Sequence, residues 1–393
     1  MGLFLRNENL IIIFSFFLIF SVGIYLCFIG GYGSDEDTLP MIYAFETTLY
    51  DGRFVSSRFT GNPVAEIGIG FLSVYFGSFV ANLFTYLFLI LGLVLFYFSF
   101  NTLKISKEIY LFLFLCLTNP ILFFDNLEPV DYSWALFFLS LGIFFFNKKI
   151  FELAILFFAI SIGVRINYVL FVAIIIFFYE FEDKISINRR LNIFLSTFIF
   201  GGMFYVPIWF ENKFDLSWLT AARPMDQGIF GLISRFIFKT YISLGYLSSF
   251  LILFFLIKNL RNILIINNFK VLMLLAISNL IIFLWIPGEF SYLQLFLIVI
   301  LYFIFSSKNK KIIYGVCLLN FISWFIFINP LTIKYKQPEL CAPKNAISAK
   351  IDIKFENGFL MKYLDSRENI KCWVQGNTAR DKKILKGQPL KRD

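Results

Sequence analysis

The sequence predicts an all-α polytopic membrane protein, and three observations carry that prediction. Hydrophobic residues make up 59% of the 393 residues and charged residues 16%, where an ordinary soluble domain carries about 25% charged residues. Apolar runs near the roughly 20 residues needed to cross a bilayer recur along most of the chain. The loops between them alternate in charge. Mean hydropathy is +0.77.

The first run, Leu10 to Gly30, has no small-residue cleavage site after it and reads as an uncleaved first helix. Further spans are expected at 80–100, 109–124, 132–146, 191–209, 237–257, 270–287, 291–306 and 312–329, and two shorter runs, 152–164 and 166–179, flank Arg165. Together they give about 11 transmembrane or half-membrane helices, counted on the roughly 20-residue rule. Lys104 and Lys107, Lys148 and Lys149, Lys184 with Arg189 and Arg190, Lys258 with Arg261 and Lys270, and Lys308 with Lys310 and Lys311 occupy alternate loops. By the positive-inside rule these face the cytoplasm, with the N-terminus. The intervening loops hold the acids, including Asp35, Glu36, Asp37, Glu46, Asp51, Glu66, Asp125, Glu128, Asp131, Glu211, Asp215, Asp226 and Glu289, and face outward.

The same alternation divides the region around Arg165. One span over 152–179 would place Lys184 to Arg190 outside and invert every later loop, so two segments are expected to fold back as a hairpin with Arg165 at its tip. At 1.5 Å per residue, each half of about 13 residues reaches only about 20 Å. An intramembrane arginine points to function, because burying one without a partner is costly; the alternative is a side chain snorkelling to the outer headgroups.

The chain divides into a membrane part, 1–330, with a first outer loop at 31–79, and an extracytoplasmic tail, 331–393. Cys341 and Cys372 lie in that tail, where an oxidising compartment permits either a disulfide or two thiols. Cys27, Cys116 and Cys317 fall within spans and read as apolar filler. Trp218, in the outer stretch with Trp209, Arg223 and Asp226, reads as an interfacial anchor in preference to a sugar-stacking platform.

There is no histidine, which removes His-based acid and base chemistry, His-ligated zinc and Ser-His-Asp triads. No GxxxxGK[ST] or GxGxxG motif sits on a strand-turn-helix, so direct nucleotide use has no support. Gly30, Gly31 and Gly33 read as a helix terminus and turn. The net charge of +9 suits anionic lipid and orientation, and nothing beyond that charge points to nucleic acid. What remains on the outer side is carboxylates, which serve as bases or share a hard cation, and arginines, which grip phosphates.

The order of the outer residues is specific. Gly33-Ser34-Asp35-Glu36-Asp37 is followed by the amphipathic stretch Leu39 to Leu49, then Asp51-Gly52-Arg53-Phe54-Val55, then Ser57-Arg58-Phe59-Thr60-Gly61-Asn62-Pro63. This order resembles the first outer loop of the GT-C superfamily of integral-membrane glycosyltransferases, where an acidic motif ends the first helix and an Arg-x-x-Gly-x-Pro-like segment opens a later one. Glu128-Pro129-Val130-Asp131 is similar to the family's second acidic position. Ile160 to Arg165 resembles its short helices around a basic residue, and Pro287-Gly288-Glu289-Phe290-Ser291-Tyr292-Leu293 its late outer-loop acid and Tyr-Leu element. The resemblance covers roughly the first 310 residues in order and topology. It departs at Asp37, an extra carboxylate, and at Phe59-Thr60, where relatives commonly carry proline.

The resemblance implies a polyprenyl-phosphate-linked sugar as donor, a glycan, lipid or protein hydroxyl as acceptor, and a bacterial-type cytoplasmic membrane with the site on the outer face. Small members of this kind include O-antigen-decorating glucosyltransferases. Asp35, Glu36 and Asp37 would supply the base, with Asp35 favoured. Arg58, Arg165 and Arg223 would hold the donor phosphate, and Glu128, Asp131, Glu289 and Tyr292 would orient the acceptor or a metal. No cofactor is certain, and a divalent cation, Mg²⁺ or Mn²⁺, stays open. The rival readings are a lipid-linked-sugar flippase or transporter, and an O-antigen polymerase-like protein.

Overall fold

The computed structural model describes residues 2–33, 37–52, 54–57, 61–101, 108–181, 185–211, 213, 228–285, 290–335, 346–365, 374 and 378–391. They form a helical membrane protein with one small β-ribbon. Its helices are α1 (Gly2–Ile29), α2 (Thr38–Asp51), α3 (Pro63–Phe76), α4 (Ser78–Phe100), α5 (Glu108–Thr118), α6 (Pro120–Phe124), α7 (Asp131–Asn147), α8 (Phe151–Val164), α9 (Tyr168–Phe178), α10 (Ile187–Met203) and α11 (Val206–Glu211). After these come α12 (Gly228–Ser243), α13 (Ser248–Lys258), α14 (Leu260–Leu264), α15 (Phe269–Trp285), α16 (Gln294–Ser306) and α17 (Lys310–Phe325).

Two helices are long and apolar enough by themselves to cross a membrane, Leu10–Ile29 and Ser78–Phe100; seven further apolar helices are shorter. The outer surface of α1 carries Phe14, Phe17, Leu18, Tyr25 and Phe28, all exposed, while Phe16, Ile19, Leu26 and Cys27 face inward against α4 and α5. Water would penalise such a surface and hydrocarbon would not. Gly31 and Gly33 take positive φ just beyond the helix, a conformation that costs glycine least and that turns the chain out of α1. In contrast, α16 is buried on every side from Gln294 to Phe305, which marks it as the central helix of the bundle.

The most extensive helix packing joins α4, α7 and α8. Phe88 of α4 stacks on Phe137 of α7 at 4.4 Å between centroids, and Trp134 donates to Thr85 Oγ1 at 3.0 Å. A short turn at 148–150, with Lys149 at φ 61°, returns the chain from α7 into α8, so Asp131 and Arg165 lie at the same end of this pair.

The chain then reverses again. Tyr179, just past α9, donates to Ser99 O at 2.6 Å, and Asn147 Nδ2 reaches the same carbonyl at 3.3 Å. The end of α9 therefore sits beside the end of α7, while Arg165 sits beside its start. Segments 151–164 and 168–178 form the expected re-entrant pair, with the turn at Arg165. The arms part: α8 packs on α7 and α10, whereas α9 packs on α10 and α15. Arg190 secures the far end by donating from Nη2 to Tyr179 O at 2.8 Å and from Nη1 to Ile176 O, a cation at a helix C-terminus.

Three expectations are corrected. The expected continuous span 237–257 is broken: Leu232–Ser243 and Ser248–Lys258 meet at 91°, with Gly245 at φ +79° in the corner. The last span ends at Phe325, because Ile326–Tyr335 (β1) pairs antiparallel with Ala346–Asn357 (β2). The protein is thus nearly all-α, and a strand crosses the expected boundary at 330.

The tail is also not a loose appendage. Its short C-terminal helix, Ala379–Leu385, docks on α2, where Arg380 Nε donates to Glu46 Oε2 at 3.1 Å and Nη2 donates to the same carboxylate. Tyr32 donates to Gln388 O at 2.7 Å, and the backbone N–H groups of Leu390 and Lys391 donate to Val74 O at 3.0 Å. Ile384, Leu390 and Val374 join Tyr32, Ile42 and Val74 in a separate small core. Burial, reinforced by the nearby Glu46 carboxylate, pushes the Tyr32 phenol above its ordinary value, so its hydroxyl stays a donor.

Candidate active site

Asp131 opens α7, where a carboxylate complements the helix dipole, and Arg165 closes α8, where a cation does. The turn between these helices brings them together. Arg165 Nη1 donates to Asp131 Oδ1 at 2.6 Å, with side chains 6% and 1% exposed. The second carboxylate oxygen accepts from Asn62 Nδ2 at 2.7 Å. The guanidinium lies over two rings, 3.9 Å from the centroid of Tyr132 and 4.8 Å from that of Tyr292, and those rings meet edge to face at 5.4 Å. Charge pairing, directed hydrogen bonds and cation–π contact together fix the arginine. A snorkelling side chain would be mobile and hydrated, so burial at the bundle interior removes that alternative.

Asn62 is fixed in turn by Glu66. Glu66 Oε1 accepts from Ser57 N at 2.9 Å, from Ser57 Oγ at 2.5 Å and from Asn62 N at 3.0 Å. One carboxylate thereby gathers the two ends of the segment 57–62 and presents it to Asp131.

The first outer loop meets the second acidic segment directly. A Cβ on Gly33 would lie 2.4 Å from the Glu128 carboxyl carbon, and Gly33 has φ +76°; only glycine lets the two approach. Thr38 Oγ1 donates to Pro129 O at 3.4 Å. On the far side, Ser291 Oγ donates to Asp125 Oδ2 at 2.8 Å and Gln294 Nε2 to Asn126 Oδ1 at 3.0 Å. Next to Arg165 the four walls leave a recess of about 230 Å³.

Of the residues singled out in the sequence, Asp131, Arg165 and Tyr292 converge, and Glu128 lies against the start of the acidic loop. Asp37 precedes α2. Asp35, Glu36, Arg58, Arg223, Glu289, Trp218, Cys341 and Cys372 lie outside the described residues. Cys27, Cys116 and Cys317 are buried thiols. Among the described residues no three carboxylate or cysteine groups converge as a cation site. Asp131 is committed to Arg165 and Asn62, and Asp125 to Ser291, so the described acids by themselves do not compose a ligand set.

Sequence reasoning gave no role to Asn62, Glu66, Tyr132 or Gln294. Asn62 was visible beside Pro63 and Tyr132 beside Asp131, but their function depends on partners 34 to 160 positions away, which periodicity does not reveal. No protein-family model, curated protein or solved structure matches the chain.

Proposed function

We propose that this chain is an integral-membrane glycosyltransferase that moves a sugar from a polyprenyl-phosphate carrier to a hydroxyl acceptor at the extracytoplasmic face of a bacterial-type cytoplasmic membrane. The observation that carries the reading is the convergence of four sequence-distant segments on the buried Arg165–Asp131 pair: 57–66, 128–132, the tip at 165 and the turn at 290–294. A purely structural ion pair needs neither two flanking tyrosine rings nor a recess beside it.

In this reading about 11 transmembrane or half-membrane helices cross or enter the bilayer, each near the roughly 20-residue span or half of it. The N-terminus is inside, and the site and tail are outside. A carboxylate of the first outer loop, Asp35 or Asp37, removes the acceptor proton. The hydroxyl oxygen attacks the anomeric carbon as the bond to the carrier phosphate breaks, which inverts that carbon and releases polyprenyl phosphate. Because Asp131 offsets its charge, Arg165 contributes fixed N–H donors that need not reorganise, and Arg58 and Arg223 supply positive charge for the phosphate. Glu128, Asp131, Glu289 and Tyr292 position the acceptor. A divalent cation would add charge at the phosphate, but no step here is routed through one.

The test is purified full-length protein in nanodiscs with a polyprenyl-phospho-hexose and a glycan acceptor. Protein-dependent release of polyprenyl phosphate is expected. Movement of the carrier between leaflets without release would assign the chain to the flippases.

A further inference from the structure

The recess beside the Arg165–Asp131 pair has a chemistry of its own. Arg165 is the one charged side chain on its wall, and its charge is balanced within the site by Asp131. The rest of the wall is ring and amide: Tyr132, Tyr168 and Tyr292 with Asn167, Asn279 and Gln294. Rings offer apolar faces and amides offer both donors and acceptors, a combination that suits a ring whose faces carry C–H bonds and whose rim carries hydroxyls. At about 230 Å³ the recess falls below the roughly 300–1,000 Å³ of sites for drug-sized ligands, so it accommodates one such ring.

Gln294 adds an independent pointer. Its side chain is 2% exposed and its orientation is determined by a chain of bonds. Asn126 Nδ2 donates to Leu122 O at 2.9 Å, which turns Asn126 Oδ1 toward Gln294. Gln294 Nε2 donates to that oxygen at 3.0 Å. Gln294 Oε1 is then left as a buried acceptor with no partner among the described residues. A buried acceptor is costly to leave unmet, and a ligand hydroxyl donates the bond it lacks. Asn279 behaves differently: its amide is spent on Tyr292 O at 3.0 Å and on Phe296 N at 3.0 Å, which holds Tyr292 and the start of α16 in place. Asn167 precedes α9 without capping it through its side chain, so its amide also faces the recess chemistry.

We infer that this recess is a subsite for a single neutral hexose, with Gln294 Oε1 accepting a bond from a sugar hydroxyl and Tyr132, Tyr168 and Tyr292 walling the ring. The balanced charge selects against a uronic acid and against bare phosphate. The subsite rests on the transferase reading only for the source of its sugar, which there is the transferred residue of the carrier.

Saturation-transfer NMR on the full chain in nanodiscs tests it with glucose, galactose, mannose, glucuronate and inorganic phosphate as probes. At least one neutral hexose should bind more tightly than glucuronate and phosphate. Gln294→Met, which keeps volume and removes the amide, should weaken that hexose about tenfold, the loss of one hydrogen bond to a buried acceptor. Asn167→Ala, at a half-buried position, carries the same test should Gln294→Met fail to fold. Absence of hexose binding, preference for glucuronate or phosphate, or hexose binding that neither variant alters would overturn the inference. Gln294-dependent hexose binding without polyprenyl phosphate release keeps the subsite and removes the transferase; release without such binding does the opposite.

Discussion

Arg165 donates to Asp131 at 2.6 Å across the outer ends of α8 and α7, with both side chains buried. The pair is the point at which the first outer loop, the second acidic segment and the 290–294 turn are fastened together, through Asn62, Tyr132 and Tyr292.

Removing one member of a buried ion pair leaves the other charge uncompensated, a loss of about 3–5 kcal/mol. Asp131→Ala and Arg165→Ala are each expected to lower the unfolding midpoint of the purified protein by a similar amount. The double variant Asp131→Leu with Arg165→Met should recover most of that stability and none of the activity. Thermal unfolding of the four proteins in one detergent measures this; additive losses in the double variant would mean that the pair is not coupled.

Gly33 sits at positive φ with the Glu128 carboxyl where a Cβ would fall. Gly33→Ala must strain the backbone, at about 1–3 kcal/mol, and displace either Glu128 or residues 34–37. The expected result is lower transfer activity with membrane insertion unchanged. Gly52, also at positive φ but with nothing within 4 Å, is the comparison: Gly52→Ala should cost stability through φ alone and leave activity near wild type.

Arg380 ties the C-terminal helix to the buried Glu46 carboxylate of α2. Arg380→Ala removes that partner and is expected to cost about 1–3 kcal/mol, the penalty of a buried acceptor left unmet. Faster proteolysis of residues 378–391 in intact membranes would report release of the strap. An unchanged cleavage rate would show that Tyr32, Ser78 and Val74, which hold the same segment through Gln388, Gly387, Leu390 and Lys391, suffice without it.

Much of the helical layout was legible before the structure, because hydropathy and turn residues are local signals. The break at Arg165 followed from loop charge, and α7, α8 and α9 lie where expected, within two residues at each end. The strand β1 was not legible. Ile326-Phe327-Ile328 extends the apolar run of α17 without interruption, and short apolar runs do not distinguish helix from strand. Nor was the 91° corner between α12 and α13, since hydropathy is blind to direction and Gly245 was the single local sign. At the site, Asp131, Arg165 and Tyr292 were visible as residue types in plausible places. Asn62, Glu66 and Gln294 acquire meaning only from partners that the fold supplies, such as Asn126 for Gln294, 168 positions away.

The central claim is that the fixed cation at the tip of α8 serves transfer from a phosphate carrier. The most direct measurement is single-turnover transfer from a polyprenyl-phospho-hexose by wild type, Arg165→Lys and Arg165→Ala, each matched for folded protein by thermal unfolding. Lysine keeps the charge and loses the planar fork, so it should retain partial activity, and alanine almost none. Equal activity in the lysine and alanine proteins, or wild-type activity in either, would contradict the account.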